Sequence, residues 1–166
     1  MNPPSDPLLK LILRQGSVFY IQDRHLTSAE PHYFVVLNLA PLADHCLLLA
    51  VSSSKIDNVR RRHAGLPPET LVEIAMADYA EFTKPSIIDC NTIIEKDHAS
   101  LIQQLRNDHS INRADLPPAI LDKLIAGVLA SPLVTEEHKI RIRRAAKAAT
   151  GPKHPQPDKG THDATP

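Results

Sequence analysis

The sequence predicts an α+β fold, with a small, strongly bent sheet followed by helices. A run of short strand-like stretches fills residues 17–94 before the longer helical patterns begin near 97. Two of these stretches, "HYFVVLNL" at 32–39 and "HCLLLAVS" at 45–52, are apolar at nearly every position instead of alternating. Such strands belong in the centre, covered on both faces or closed into a small barrel. The break between them, "APLAD", has the length of a hairpin connection.

The elements follow in order. "SDPLLKLILRQG" reads as a short amphipathic helix that Ser5 or Asp6 can cap, with Pro7 in its first turn and Gly16 to close it. "SVFYIQ" at 17–22 is a strand rich in β-branched and aromatic residues, and "DRHLTSAEP" is a polar loop. After the hairpin, "SSKIDNVRRRHAGLPPE" reads as a long polar loop. "TLVEIA" at 70–75 and "PSIIDCNTII" at 85–94 are two further strands. A helix is predicted from about 97 to 107. The next, in "DLPPAILDKLIAGVLAS", is capped by Asp115 and buries one stripe at 120, 121, 124, 125, 128 and 129. "TEEHKIRIRRAAKAAT" starts with Thr135 and two glutamates and ends in basic residues, the order that the helix dipole favours. The Pro, Gly and charge of 151–166 leave nothing to bury, which predicts disorder. The organisation is thus a helical extension at 1–15, a main domain at 16–133, a basic helix at 134–150 and a tail at 151–166.

Composition bounds the function. The 166 residues hold 19 Lys and Arg against 19 Asp and Glu, so net charge does not indicate a strongly basic nucleic-acid binder; any such role rests on local patches. "VRRRH" at 59–63, with Arg60, Arg61 and Arg62, is such a patch, and so is the helix bearing Lys139, Arg141, Arg143, Arg144 and Lys147. A charge run is more often a solvated face, and alanines turned inward would make that helix an appendage. Nine histidines are scattered, with no pair at the spacing of a metal motif on one helix. Cys46 and Cys90 lie in apolar stretches and read as buried free thiols, with no disulfide framework, zinc site or cofactor motif around them. The start of the chain lacks the basic leader of a signal peptide, and no run has the length of a membrane span. These features predict a soluble, cytoplasmic protein.

Several stretches, taken in order, resemble the MazF/PemK family of toxins. "GSVFYIQ" looks like the opening strand of that family after a glycine. "HYFVVLN" resembles its second strand, which usually begins with Arg-Pro. "LLLAVSSSK" resembles the third, which usually exits through a threonine beside another small polar residue. "FTKPSIIDCNTI" is similar to the late Lys-x-Ser segment, and "ADLPPAILDKLIAGVLASPL" to the closing helix. The resemblance implies a small SH3-like β-barrel with flanking helices, a homodimer, an antitoxin protein as partner, and metal-independent cleavage of single-stranded RNA.

In that chemistry the ribose 2′-hydroxyl attacks the adjacent phosphate; a base takes its proton, an acid protonates the leaving 5′-oxygen, and a cation or hydroxyl steadies the phosphorus centre. Carried over by position, the arginine of the family falls at His32, its threonine at Ser52 or Ser53, and its proline at Tyr33. The resemblance thus makes His32 the acid or base and a serine the phosphate ligand. Arg24, His25, Lys55 and the arginines at 60–62 would then hold the RNA. Histidine lacks the permanent bidentate grip of a guanidinium. The competing expectation is therefore a barrel without catalysis that binds protein or nucleic acid.

Overall fold

The computed structural model describes residues 6–143. The predicted tail at 151–166, the end of the basic helix and the first five residues lie outside the described residues. Helix α1 (Pro7–Ile12) starts where expected: the Asp6 carboxylate accepts a hydrogen bond from the Leu8 amide at 2.9 Å. Gly16 follows at φ +93°, a conformation that L side chains rarely adopt. Its amide donates to Val36 and its carbonyl accepts from Leu116, so the turn ties three parts of the chain together.

Seven antiparallel strands make the sheet: β1 (Val18–Ile21), β2 (His32–Val36), β3 (Leu47–Ser53), β4 (Leu71–Ile74), β5 (Ser86–Asp89), β6 (Ile94–Lys96) and β7 (Asn112–Arg113). The order is β4-β5-β3-β2-β1-β7, and β6 also pairs with β3. β2 lies along one edge of β3. On the other edge, β6 pairs with Leu47–Leu49, while β5 pairs with Ser52 and Ser53. One strand thus serves two partners on a single side. The stretch read as a single strand at 85–94 is split between these partners. A turn from Cys90 to Ile93, held by the Asp89 carboxylate accepting from the Asn91 amide and the Thr92 hydroxyl, separates them. β4 and β7 do not pair with each other, so the sheet is not closed.

The central strands are apolar throughout because both faces are covered. One face carries Val18, Val35, Leu48, Ala50 and Ile88 under helix α4 (Pro118–Ala130), which contributes Leu121, Leu124 and Val128. The other carries Phe19, Phe34, Val36, Leu47 and Leu49 under α1 and helix α3 (His98–Asn107), through Leu9, Leu13, Leu101 and Leu105. Asp97 caps α3 by accepting from the Ser100 amide.

Two expectations about the helices are corrected. The polar segment 53–69 is not all loop: it holds helix α2 (Ile56–Arg62), anchored by buried Val59. Asp115 does not cap α4. Pro117 occupies that position without a side-chain bond, and Asp115 instead pairs with Arg14. Helix α5 (Glu136–Ile142), capped by Thr135 as expected, packs onto the body, with Ile142 fully buried and its carbonyl accepting from Gln15. No helix among the described residues is long and apolar enough to cross a membrane.

Helix α4 approaches the chain closely at Gly127, where an added Cβ would meet the Glu69 carbonyl oxygen at 2.5 Å and the Cys90 sulfur at 3.0 Å. Helix propensity alone favours alanine over glycine by about 1 kcal/mol. Gly127→Ala should instead destabilise the protein by roughly 1–3 kcal/mol through overpacking. Urea denaturation reads the sign directly.

Candidate active-site cleft

The loop from β1 to β2, strand β6, helix α3 and the approach to β7 enclose a cleft of about 1270 Å³. Its wall is organised by Asp23, whose side chain is only 2% exposed. Asp23 accepts from the His25 amide at 2.9 Å, from His25 Nδ1 at 2.6 Å and from Lys96 Nζ at 2.8 Å. The amide bond is a local turn of the kind that Asp favours two residues ahead of its partner. The lysine arrives from β6, 73 residues away. Burial alone would raise the Asp23 carboxyl; hydrogen bonds from Lys96 and His25 outweigh it and hold its pKa down to about 2.

Asp23 therefore presents a buried negative charge that fixes the His25 ring by its Nδ1, and the exposed His25 side chain lines the cleft. A carboxylate behind an exposed imidazole sets the tautomer and steadies the charged ring during proton transfer, the requirement for general acid–base work. Arg24 also lines the cleft. Arg113, another lining residue, stacks over Tyr20 at 5.2 Å and sits 3.6 Å from Glu81.

The residues placed by resemblance are arranged differently. His32 begins β2 beside the exit of β3, and its Nδ1 donates to the Ser52 carbonyl at 3.3 Å. By strand alternation His32 shares the face of Phe34 and Val36, on which Ser53 also lies, whereas Ser52 shares the opposite face with Leu48 and Ala50. His32 Nε2 is buried without a partner, Ser52 is buried, and the Ser53 hydroxyl accepts from the Lys55 amide. His32, Ser52 and Ser53 line neither this cleft nor a second one of about 690 Å³.

The second cleft gathers Lys55, Arg60, Glu73 and Lys84. "VRRRH" lies on α2, not in a loop. Arg60 pairs with Glu73, Arg61 donates to Asn58, and Arg62 is exposed at the last turn, where a cation complements the helix dipole. His63 follows, its Nε2 lying 2.8 Å from Asp89 Oδ2 without an aligned hydrogen bond. Asp89 also accepts from Asn91, which donates to Thr70 and accepts from Ser131. This buried network ties β5 to the end of α4 and leads into neither cleft.

Asp23 and Lys96 were not singled out in the sequence. The Asp-x-His spacing of 23–25 signals a local turn, but nothing local signals the partner on β6. Because the folded pKa of Asp23 lies near 2 and an unfolded aspartate titrates near 3.9, its contribution is present above about pH 4 and lost as pH falls through 2. That contribution is on the order of 2 kcal/mol. Asp23→Asn should lower stability at pH 7 by at least that amount, since it leaves the Lys96 charge buried, and should flatten the acid side of the stability curve between about pH 4 and 2. Denaturant unfolding at a series of pH values measures both effects.

No protein-family model matches the chain, and no curated protein matches it.

Proposed function

We propose that the chain is a MazF/PemK-like, metal-independent endoribonuclease that cuts single-stranded RNA in the cleft between the β1–β2 loop and α3. On this reading the bent sheet is an SH3-like barrel, open between β4 and β7. The carrying observation is the Asp23–His25–Lys96 constellation in the wall of that cleft. On this reading the acid–base role falls to His25 and not to His32. His25 Nε2 takes the proton of the 2′-hydroxyl as its oxygen bonds to phosphorus, forming the 2′,3′-cyclic phosphate. The bond to the 5′-oxygen breaks, and that oxygen takes a proton from water. Arg24 stabilises the extra negative charge on the phosphoryl oxygens. Lys55 and Arg62 hold flanking phosphates. A homodimer and an antitoxin peptide filling the cleft, in the cytoplasm, complete the reading that the resemblance implies.

A second reading is favoured by one observation: His32, at the position of the family arginine, has one nitrogen on a backbone carbonyl and the other closed off. A barrel that binds RNA or protein without cutting it is consistent with this.

Incubation of the purified protein with mixed single-stranded RNA, with chelator present, separates the two. Cleavage should leave 2′,3′-cyclic ends, fall at least 100-fold in His25→Ala, and persist in the folded His32→Ala variant. Loss in His32→Ala with retention in His25→Ala would return the chemistry to the β2–β3 strand ends. Intact RNA with salt-sensitive binding would establish the binding module.

A further inference from the structure

On the face of the sheet that carries Leu48, residues far apart in sequence bring soft and borderline donors together. His45 and Cys46 lie at the entrance to β3, and Glu95 lies on β6 opposite Leu48. One ligand atom from each of the three falls within 4.8 Å of the others. We propose that His45, Cys46 and Glu95 form a binding site for a transition-metal dication of the zinc class, tying the β2–β3 connection to β6.

The donor set is one thiolate, one imidazole and one carboxylate, a combination that suits Zn²⁺ far better than Mg²⁺ or Ca²⁺. Two anionic donors match the charge of a dication. Arg141 does not upset the balance, because its guanidinium is offset by Asp44, 3.5 Å from its Nε. Tetrahedral zinc places neighbouring ligand atoms about 3.5 Å apart, so the observed spacing needs a side-chain contraction of roughly 1 Å. His45 is exposed and can make it, while Glu95, also exposed, stays on His138.

The surroundings are those of a supported site. His138 on α5 lies 2.9 Å from Glu95 Oε1 and orients the carboxylate from behind, leaving Oε2 toward the Cys46 sulfur at 3.7 Å. An Arg141 terminal nitrogen donates to the Cys46 carbonyl at 3.1 Å and reaches its sulfur at 3.5 Å, the contact that a thiolate requires. Asn38, fully buried, donates to the Cys46 carbonyl and to Asp44 and accepts from the Leu48 amide, which fixes the backbone that carries Cys46. A metal takes Cys46 as the thiolate, so its thiol proton must leave on binding. Binding replaces that proton: the S–H bond breaks, the sulfur pair bonds to the metal, and one proton passes to the buffer. Water fills the fourth position.

The test is titration of the reduced full-length protein with Co²⁺ alone, then with Zn²⁺. One equivalent of Co²⁺ should give a thiolate-to-cobalt band in the near ultraviolet with tetrahedral visible bands, and Zn²⁺ should bleach both. The band reports Cys46, since the other cysteine, Cys90, is fully buried. Cys46→Ala should abolish it. His45→Ala and Glu95→Gln alter exposed side chains and so preserve the fold, checked by circular dichroism, and each should weaken Co²⁺ binding at least tenfold. His138→Ala should weaken it less while keeping the band. No thiolate band, or a band that His45→Ala and Glu95→Gln leave unchanged, would overturn the proposal.

Discussion

Two-sided burial of β3 is the constraint on which the other elements depend. Leu47, Leu48, Leu49 and Ala50 are all at most 1% exposed, although consecutive residues point to opposite faces. Burying each leucine stabilises the fold by about 1.5–3 kcal/mol, but only if both faces have a cover. The chain supplies two covers, α4 on one side and α1 with α3 on the other. It must also satisfy the backbone along both edges, because a buried carbonyl or amide without a partner costs about as much as a buried leucine contributes. The segment after β4 is accordingly divided into β5 and β6, which pair with different ends of β3.

Against this apolar frame the charged pairs differ widely in weight. Arg14–Asp115 and Arg106–Asp6 join the ends of the fold across long sequence separations, but both arginines are more than 60% exposed. Exposed pairs of this kind contribute about 0–1 kcal/mol. Asp23–Lys96 is of another kind, with side chains 2% and 10% exposed. Removing such charges from water costs several kcal/mol, and a well-packed apolar pair would serve stability equally well. The pair also holds the His25 ring through the Asp23 carboxylate and sets a charge beside it.

Much of the fold was legible because it rests on local signals. Asp6 and Thr135 cap their helices as their residue types and positions imply. The uniform apolarity of 32–39 and 45–52 marked a strand pair covered on both faces. Asp115 misled because it is a good capping residue with a stronger partner in Arg14, a contact that no local rule contains. Helix α2 was hidden by its polarity: Val59 is its one buried residue, too little for a periodic signal. The candidate cleft was half visible. Arg24 and His25 stood out as cations in a loop, but the residues that give His25 its environment are Asp23, whose exposure is decided by tertiary packing, and Lys96 on a distant strand. His32 stood out through resemblance, yet strand alternation separates it from Ser52 and ring burial from the cleft.

β6 connects these features. It is three residues long, and its pairing with β3 sends Glu95 and Lys96 to opposite faces of the sheet. Lys96 reaches Asp23 behind the His25 ring, and Glu95 reaches the His45–Cys46 corner and His138. The register of one short strand therefore positions both constellations. A slip of one residue would exchange a cation for an anion on each side, leaving Asp23 facing a carboxylate and Cys46 facing an ammonium. The hydrogen bonds of β6 to Leu47–Leu49 exclude that slip, and they exist only because β3 is buried where it is. The dependence thus runs from the apolar strand to the register of β6, and from that register to the chemistry available on each face.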